Sequence, residues 1–289
     1  MHRFFSAAAI ILFMVLLLCF PTLSIQGASA GILLWYKRVL PVLLPFALAS
    51  HLMLETNLLG RFSHRIYVIL MGFLCGYPMG AIWAASLTRD GKIVPEEGQR
   101  LLWFCNQPSP MFLIGYLGVQ CLGIAETLSI LAAAYLPPLV FGCLLLKRNP
   151  VKKAETDSRF IPLTVISFEK AWIESCVILV KIGGYVLFFS MIATYLCQLP
   201  FENPVWHPLL VGICEMTTGT GLLAESVLPI LHKGPLGLFL VCFGGLSCLA
   251  QTAGCLPGSG LKTGSYILAK LACALCSGGL LYLYLYSRM

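Results

Sequence analysis

The most chemically telling residue of the sequence is an acid set in an apolar stretch. Glu215 stands within Val211-Gly212-Ile213-Cys214-Glu215-Met216-Thr217-Thr218-Gly219. Ionisable groups inside lipid are costly and as a rule functional. As a carboxylate, Glu215 could bind Na⁺ together with the hydroxyls of Thr217 and Thr218 and freed backbone carbonyls; protonated, it could carry a proton or donate a hydrogen bond. Pairing with Lys181, or capping a broken helix, would satisfy the same group without a solute. A second set is Asn106, Gln107 and Ser109, with Pro108 and Pro110 exposing backbone groups between them. These donors and acceptors suit an amide, a carboxylate or a heteroaromatic nitrogen, and Ser247 and Gln251 answer them from later in the chain. Each alone could be interhelical glue worth about 0.6–2 kcal/mol, but together they suggest one site. Tyr77, beside Pro78, could stack on a planar ligand; a buried tyrosine with a satisfied hydroxyl is the alternative.

Nothing points to an enzyme. The sequence has no His-Glu-x-x-His zinc signature, no P-loop and no Gly-x-Gly-x-x-Gly cofactor loop. Pro257-Gly258-Ser259-Gly260 lacks the spacing of a nucleophile elbow. No cofactor is expected beyond a coupling ion, sodium or a proton. The expected partners are a small-molecule substrate and the lipid bilayer, and homo-oligomerisation stays open.

The elements that must position these residues are membrane helices. With 58% hydrophobic and 11% charged residues in 289, the chain is too apolar for a soluble surface, which needs roughly a quarter charged residues. About 20 apolar residues span a bilayer core, and such segments fall at 4–23, 40–58, 67–88, 101–120, 124–146, 171–197, 207–226, 237–257 and 264–286. The first begins Met1-His2-Arg3 and precedes Gln26-Gly27-Ala28-Ser29-Ala30, so a cleaved signal peptide competes with an uncleaved helix, which is preferred because no soluble domain follows. The thirteen cysteines, most of them inside apolar runs, read as reduced packing residues.

The two halves align at a nearly constant offset. Gly72 to Gly212 is 140, Gly80 to Gly219 is 139, and Phe104 to Phe243 is 139. Each copy then holds four elements, and the second and third carry breakers where lipid-facing helix would need apolar residues. Gly76-Tyr77-Pro78, with Gly80 just beyond, and Pro108-Ser109-Pro110 interrupt the first half. Thr217-Thr218-Gly219 and Gly244-Gly245-Leu246-Ser247 interrupt the second. Unpaired backbone in hydrocarbon costs several kcal/mol, so broken helices survive only where buried in protein or lining a wet cavity. Interruptions matched between two halves point to a transporter binding site. The expected fold is an all-α polytopic membrane protein of two inverted repeats with broken helices and re-entrant hairpins. Its divisions are an N-terminal helix or signal-like segment (1–30), repeat 1 (31–146), a basic cytoplasmic linker (147–165) and repeat 2 (166–289).

The net charge of +7 is explained by topology rather than by nucleic acid. If the hairpins re-enter and the other elements cross, the loops at 59–66, 89–100, 147–170 and 258–263 share one side with Arg3 and collect most basic residues. That is what the positive-inside rule expects. Lys37, Arg38, Lys233 and Arg288 are left outside, with Lys37 and Arg38 the discordant pair.

Gly76-Tyr77-Pro78-Met79-Gly80-Ala81, then Leu87-Thr88-Arg89-Asp90-Gly91-Lys92, then Glu96 through Phe112 with its Asn106-Gln107-Pro108-Ser109-Pro110 core, form an ordered set of motifs. With Glu215-Met216-Thr217-Thr218-Gly219 and Phe243 through Gln251, they make the chain resemble the YlbJ (SpoVV) type of sporulation integral membrane protein over about residues 40–285. That family belongs with nucleoside-recognition (Gate) domain proteins, which are similar to concentrative nucleoside transporters. The resemblance implies a multi-pass protein in the outer forespore membrane of a spore-forming bacterium, on the mother-cell side, passing dipicolinic acid toward the spore. It leaves two alternatives: a carrier of nucleoside-like solutes, or a non-transporting scaffold for spore-envelope assembly.

Overall fold

The computed structural model describes residues 2–58, 63–123, 127–147, 160–200 and 203–289. Arg61 and residues 148–159 of the basic linker lie outside them. Among the described residues all regular structure is helical, and five helical stretches are long and apolar enough to cross a membrane: Pro21–Glu55, Thr127–Leu146, Val165–Cys197, Ile230–Cys255 and Thr263–Tyr286. The chain is an all-α polytopic membrane protein.

Helix α1 (His2–Cys19) stops just before Pro21, whose ring and missing N–H cannot continue it. Pro21 instead opens α2 (Pro21–Leu34), which passes through a π-helical segment, Trp35–Val39, into α3 (Leu40–Glu55). This corrects one expectation: the element expected at 40–58 begins at Pro21, and Gln26–Ala30 lie within it. Gly27 and Gly31 make the small-xxx-small spacing that lets two membrane helices approach. Their partner is α8 (Val165–Cys197): a Cβ on Gly27 would lie 2.7 Å from the Met191 Cα, and one on Gly31 would lie 2.7 Å from the Leu187 Cα. Ser24 joins the seam through a hydrogen bond with the Tyr195 hydroxyl.

The first hairpin is α4 (His64–Leu74) and α5 (Met79–Arg89). The rings of Tyr67 and Trp83 meet edge to face at 5.2 Å. On one straight helix residues 67 and 83 would stand about 24 Å apart, so the two arms fold back on each other. Ser63 opens the hairpin by accepting from the Arg65 N–H, and the Arg65 Nε bonds the buried Glu97 carboxylate at 2.8 Å. Glu97 belongs to α6 (Pro95–Cys105), which stops at a non-helical stretch, 106–109; helix resumes at Pro110 and is π-helical over Phe112–Leu122. Helix α7 (Thr127–Lys147) completes the first half.

The second half repeats the order. Long α8 starts in a reciprocal capping box between Thr164 and Ser167. A second hairpin follows, α9 (Trp206–Cys214) and α10 (Met216–Glu225). A Cβ on Gly219 would fall on the Gly212 backbone and 2.7 Å from the Pro208 carbonyl oxygen, so the arms touch along glycine. Helix α11 (Ile230–Phe243) ends at Gly244, φ +86°, and α12 (Gly245–Cys255) starts directly after it on Gly245, φ +67°. Helix α13 (Thr263–Tyr286) closes the bundle and packs on α7 and α11.

Burial separates inner from outer elements. In the most apolar window of 230–255, 72% of residues are buried, against 11% for 21–55. Hairpins and interrupted helices thus form the interior, while Ile10, Leu18, Leu128, Ile166, Leu268 and Leu283 leave apolar surface outward. All thirteen cysteines are free.

Candidate functional site

The four interruptions meet. Gly76, at the tip of the first hairpin with φ +86°, sits where a Cβ would come 2.9 Å from the backbone nitrogen of Ser109. Only glycine tolerates both the left-handed backbone and that approach. Farther down the same hairpin, Gly72 lets the arm lie on the Cys105 carbonyl. The corresponding contact of the second half joins Gly212 to Gly245, whose Cβ would meet the Gly212 carbonyl oxygen at 2.8 Å. Each hairpin therefore rests against the break in its own half's interrupted helix. Two tyrosines then cross between halves. The Tyr77 hydroxyl donates to the carbonyl oxygens of Cys242 at 2.8 Å and Val241 at 3.1 Å, and the Tyr116 hydroxyl donates to that of Thr217 at 2.6 Å.

A cavity of about 280 Å³ opens at this junction. The hairpin tips supply Cys75, Gly76, Tyr77, Glu215 and Thr217; the interrupted helices supply Pro108, Ser109, Ser247, Cys248 and Gln251. One wall is the π-helical segment carrying Lys37 and Arg38, and another holds Phe112, Tyr116 and Gln120. The Arg38 guanidinium bonds the Gln120 side-chain oxygen and lies 5.7 Å from the centre of the Tyr116 ring. Lys37 and Arg38 are thus not loop residues beyond the membrane helices, as the charge count had them. They sit inside a 35-residue helical stretch at the cavity.

Of the residues singled out from sequence, Tyr77, Ser109, Glu215, Thr217, Ser247 and Gln251 line the cavity, with Gly76 and Pro108. Asn106, Gln107 and Thr218 do not. The Asn106 amide donates to Thr252 Oγ1 at 2.9 Å and the Tyr266 hydroxyl at 2.8 Å, while Gln107 donates to the Phe104 carbonyl at 3.0 Å. Both belong to the non-helical stretch itself, with their side chains turned toward α12 and α13. Thr218 gives its N–H and hydroxyl to Glu215, each at 2.7 Å.

Glu215 is 3% exposed and also accepts from the Thr217 N–H at 3.1 Å. It caps α10, where a carboxylate meets the positive end of the helix dipole, and takes no part in an ion pair with Lys181 among the described salt bridges. Its extended backbone, φ −138° and ψ 109°, is itself the interruption. The break expected at 217–219 is therefore displaced to Glu215, because Thr217 and Thr218 supply N–H groups to the cap and Gly219 serves as an arm contact within α10. Gly80 likewise lies inside α5, packed on Cys105 and Asn106 rather than at the break. Pro78 precedes α5 directly, in a cis peptide with Tyr77, and Pro110 opens the resumed helix. Ser247 and Gln251 share a face of α12 and bond at 3.2 Å.

Sequence reasoning passed over Tyr116, Gln120 and Lys270. Lys270 is fully buried on α13, and its Nζ reaches the Asn106 carbonyl oxygen at 2.6 Å and Gln107 Oε1 at 2.7 Å. A lysine in the middle of the last apolar segment carried the same signal as Glu215. Tyr116 and Gln120 left none, since aromatic and amide residues in an apolar helix are ordinary.

No protein-family model matches the chain, and no solved structure matches it. The chain is similar to the sporulation integral membrane protein YlbJ of Bacillus subtilis (strain 168), with 28% identity over 309 residues, 87% of this chain and 75% of that protein. A likeness of that extent, over a chain whose helices are those of a membrane protein, supports its place in the YlbJ family of sporulation integral membrane proteins.

Proposed function

We propose that the chain is a membrane carrier, not an enzyme, for a small polar anion, and that the solute is dipicolinic acid moved across the outer forespore membrane. One observation carries this reading: a single cavity ringed by four helix interruptions, two from each half, inside a protein of long apolar helices. Interruptions at membrane depth leave backbone groups to satisfy, and they recur where a polar solute must be met. Hairpin, interrupted helix and long helix follow in the same order in both halves, which suits an inverted pair of repeats of the nucleoside-recognition (Gate) type.

The walls suit an anion with a flat ring. Lys37 and Arg38 bring positive charge to the cavity, and Arg can meet a carboxylate through two parallel hydrogen bonds. Helix α12 begins there without a side-chain cap, so its first N–H groups offer the positive end of a dipole. Tyr116 and Phe112 supply aromatic surface. Glu215, in the same cavity, would oppose a dianion unless a cation came with it, which fits a sodium ion or proton as the coupling ion. A nucleoside-like solute is the second reading, favoured by Glu215, Ser247 and Gln251 as a hydroxyl-binding set.

Uptake of labelled dipicolinate into proteoliposomes holding the purified chain tests the proposal. Saturable uptake that Glu215→Gln uncouples from the sodium or proton gradient is the expected result. Saturable uptake of nucleosides alone would transfer the site to the second reading. No saturable flux of either solute would leave a non-transporting scaffold.

A further inference from the structure

We propose that Lys270 is a built-in cation, filling with its own ammonium group the position that a free monovalent cation would occupy at the first helix interruption. Helix α6 ends at Cys105, and the stretch after it leaves backbone carbonyls without helical partners at the negative end of a helix dipole. In membrane carriers such half-helix ends and unwound carbonyls are what gather cations. Here the Lys270 Nζ lies 2.6 Å from the Asn106 carbonyl oxygen, 2.7 Å from Gln107 Oε1 and 4.6 Å from the centre of the Tyr77 ring. A carbonyl, an amide oxygen and an aromatic face make a cation's coordination set. No carboxylate pairs with Lys270 among the described salt bridges, and the group is fully buried. A further buried oxygen, Asn106 Oδ1, has no hydrogen-bond partner.

A packing role explains this arrangement poorly. A buried amine without a counter-ion is costly, so a residue that had only to fill space on α13 would be apolar; removing this one leaves the buried Asn106 carbonyl and Gln107 Oε1 without their donor. What the lysine supplies is charge at a fixed point. Tyr77, whose ring faces the ammonium, reaches from the first hairpin tip to the end of α11 and also lines the cavity. The tethered cation therefore braces the first half's break against the second half's. The halves differ in kind: the second presents a carboxylate, Glu215, to the cavity, whereas the first already holds its cation. This inference stands whether or not the cavity carries a solute, and it leaves Glu215 as the place for any free coupling cation.

The test is charge-specific rescue. Lys270→Ala removes the atoms that n-propylammonium would replace. The purified variant is melted in propylammonium chloride, in choline chloride and in n-propanol, beside the wild type. The expected result is a lowered melting temperature, recovered by roughly half or more in propylammonium alone because a ligand binding only the folded state raises it, with the wild type indifferent to all three. Equal behaviour of the variant in propylammonium and in propanol overturns the proposal. Lys270→Met, which keeps the stem and loses the charge, covers the case in which the alanine variant does not fold. It should melt below the wild type, and melting together with the wild type overturns the proposal equally.

Discussion

The hydroxyl of Tyr116 donates to the carbonyl oxygen of Thr217 at 2.6 Å. Tyr116 lies on the helix that resumes after the first half's break, and Thr217 is in the first turn of the second arm of the second hairpin. The Thr220 hydroxyl sits 3.3 Å from the same phenol oxygen. One side chain therefore ties the first half to the tip that carries Glu215, while its ring forms a cavity wall under Arg38.

Tyr116→Phe keeps the ring and removes this tie. Losing the donor to a buried carbonyl costs about 1–3 kcal/mol. The variant should melt lower in detergent and bind solute more weakly, because the Glu215 tip loses its brace. Calorimetry of solute binding beside a thermal melt checks this; a variant that melts and binds as the wild type does would show that the bond carries no weight.

Lys37→Gln with Arg38→Gln removes the positive wall. A hydrogen bond to a charged group contributes about 1.5–3 kcal/mol, so an anionic solute should lose about tenfold or more in affinity while a neutral one changes little. Both side chains are exposed rather than packed in the core, so the fold should persist. Competition binding of dipicolinate against a nucleoside separates the two responses. Equal loss for both solutes would mean that the pair holds the cavity's shape rather than selecting charge.

Gly27→Leu tests the seam between α2 and α8. Even a Cβ would lie 2.7 Å from the Met191 Cα and 2.9 Å from Thr194 Oγ1. Overpacking of this kind costs about 1–3 kcal/mol. The expected result is a lower melting temperature, with Gly184→Ala, whose Cβ would meet nothing within 4 Å, as the silent control on the other helix.

The membrane class, the order of the elements and the polar lining that the hairpin tips and helix breaks give the cavity were legible in the sequence, each for a local reason. Apolar runs of spanning length declare their solvent. Glycine and proline inside such runs declare interruptions, and Glu215 had to be either functional or satisfied. The expected break at Thr217–Gly219 missed by two residues because capping geometry, not composition, decides where a helix restarts. Gly27 was visible as a small residue, but small residues also precede cleavage sites, and its close approach to α8, shared by Gly31, is a contact between segments far apart in sequence.

What the sequence determined by itself is a polytopic helical protein whose two halves carry matched interruptions, because hydrophobic length and backbone breakers act over a few neighbouring residues. What only the tertiary structure decided is which polar groups face one another. Asn106 turns away from the cavity that Ser109, three residues on, helps to line. Lys37 and Arg38 leave the expected loop for a cavity wall, and Lys270 joins a break more than 160 residues earlier in the chain. Such pairings depend on contacts between segments far apart in sequence, and no local pattern of residues encodes them.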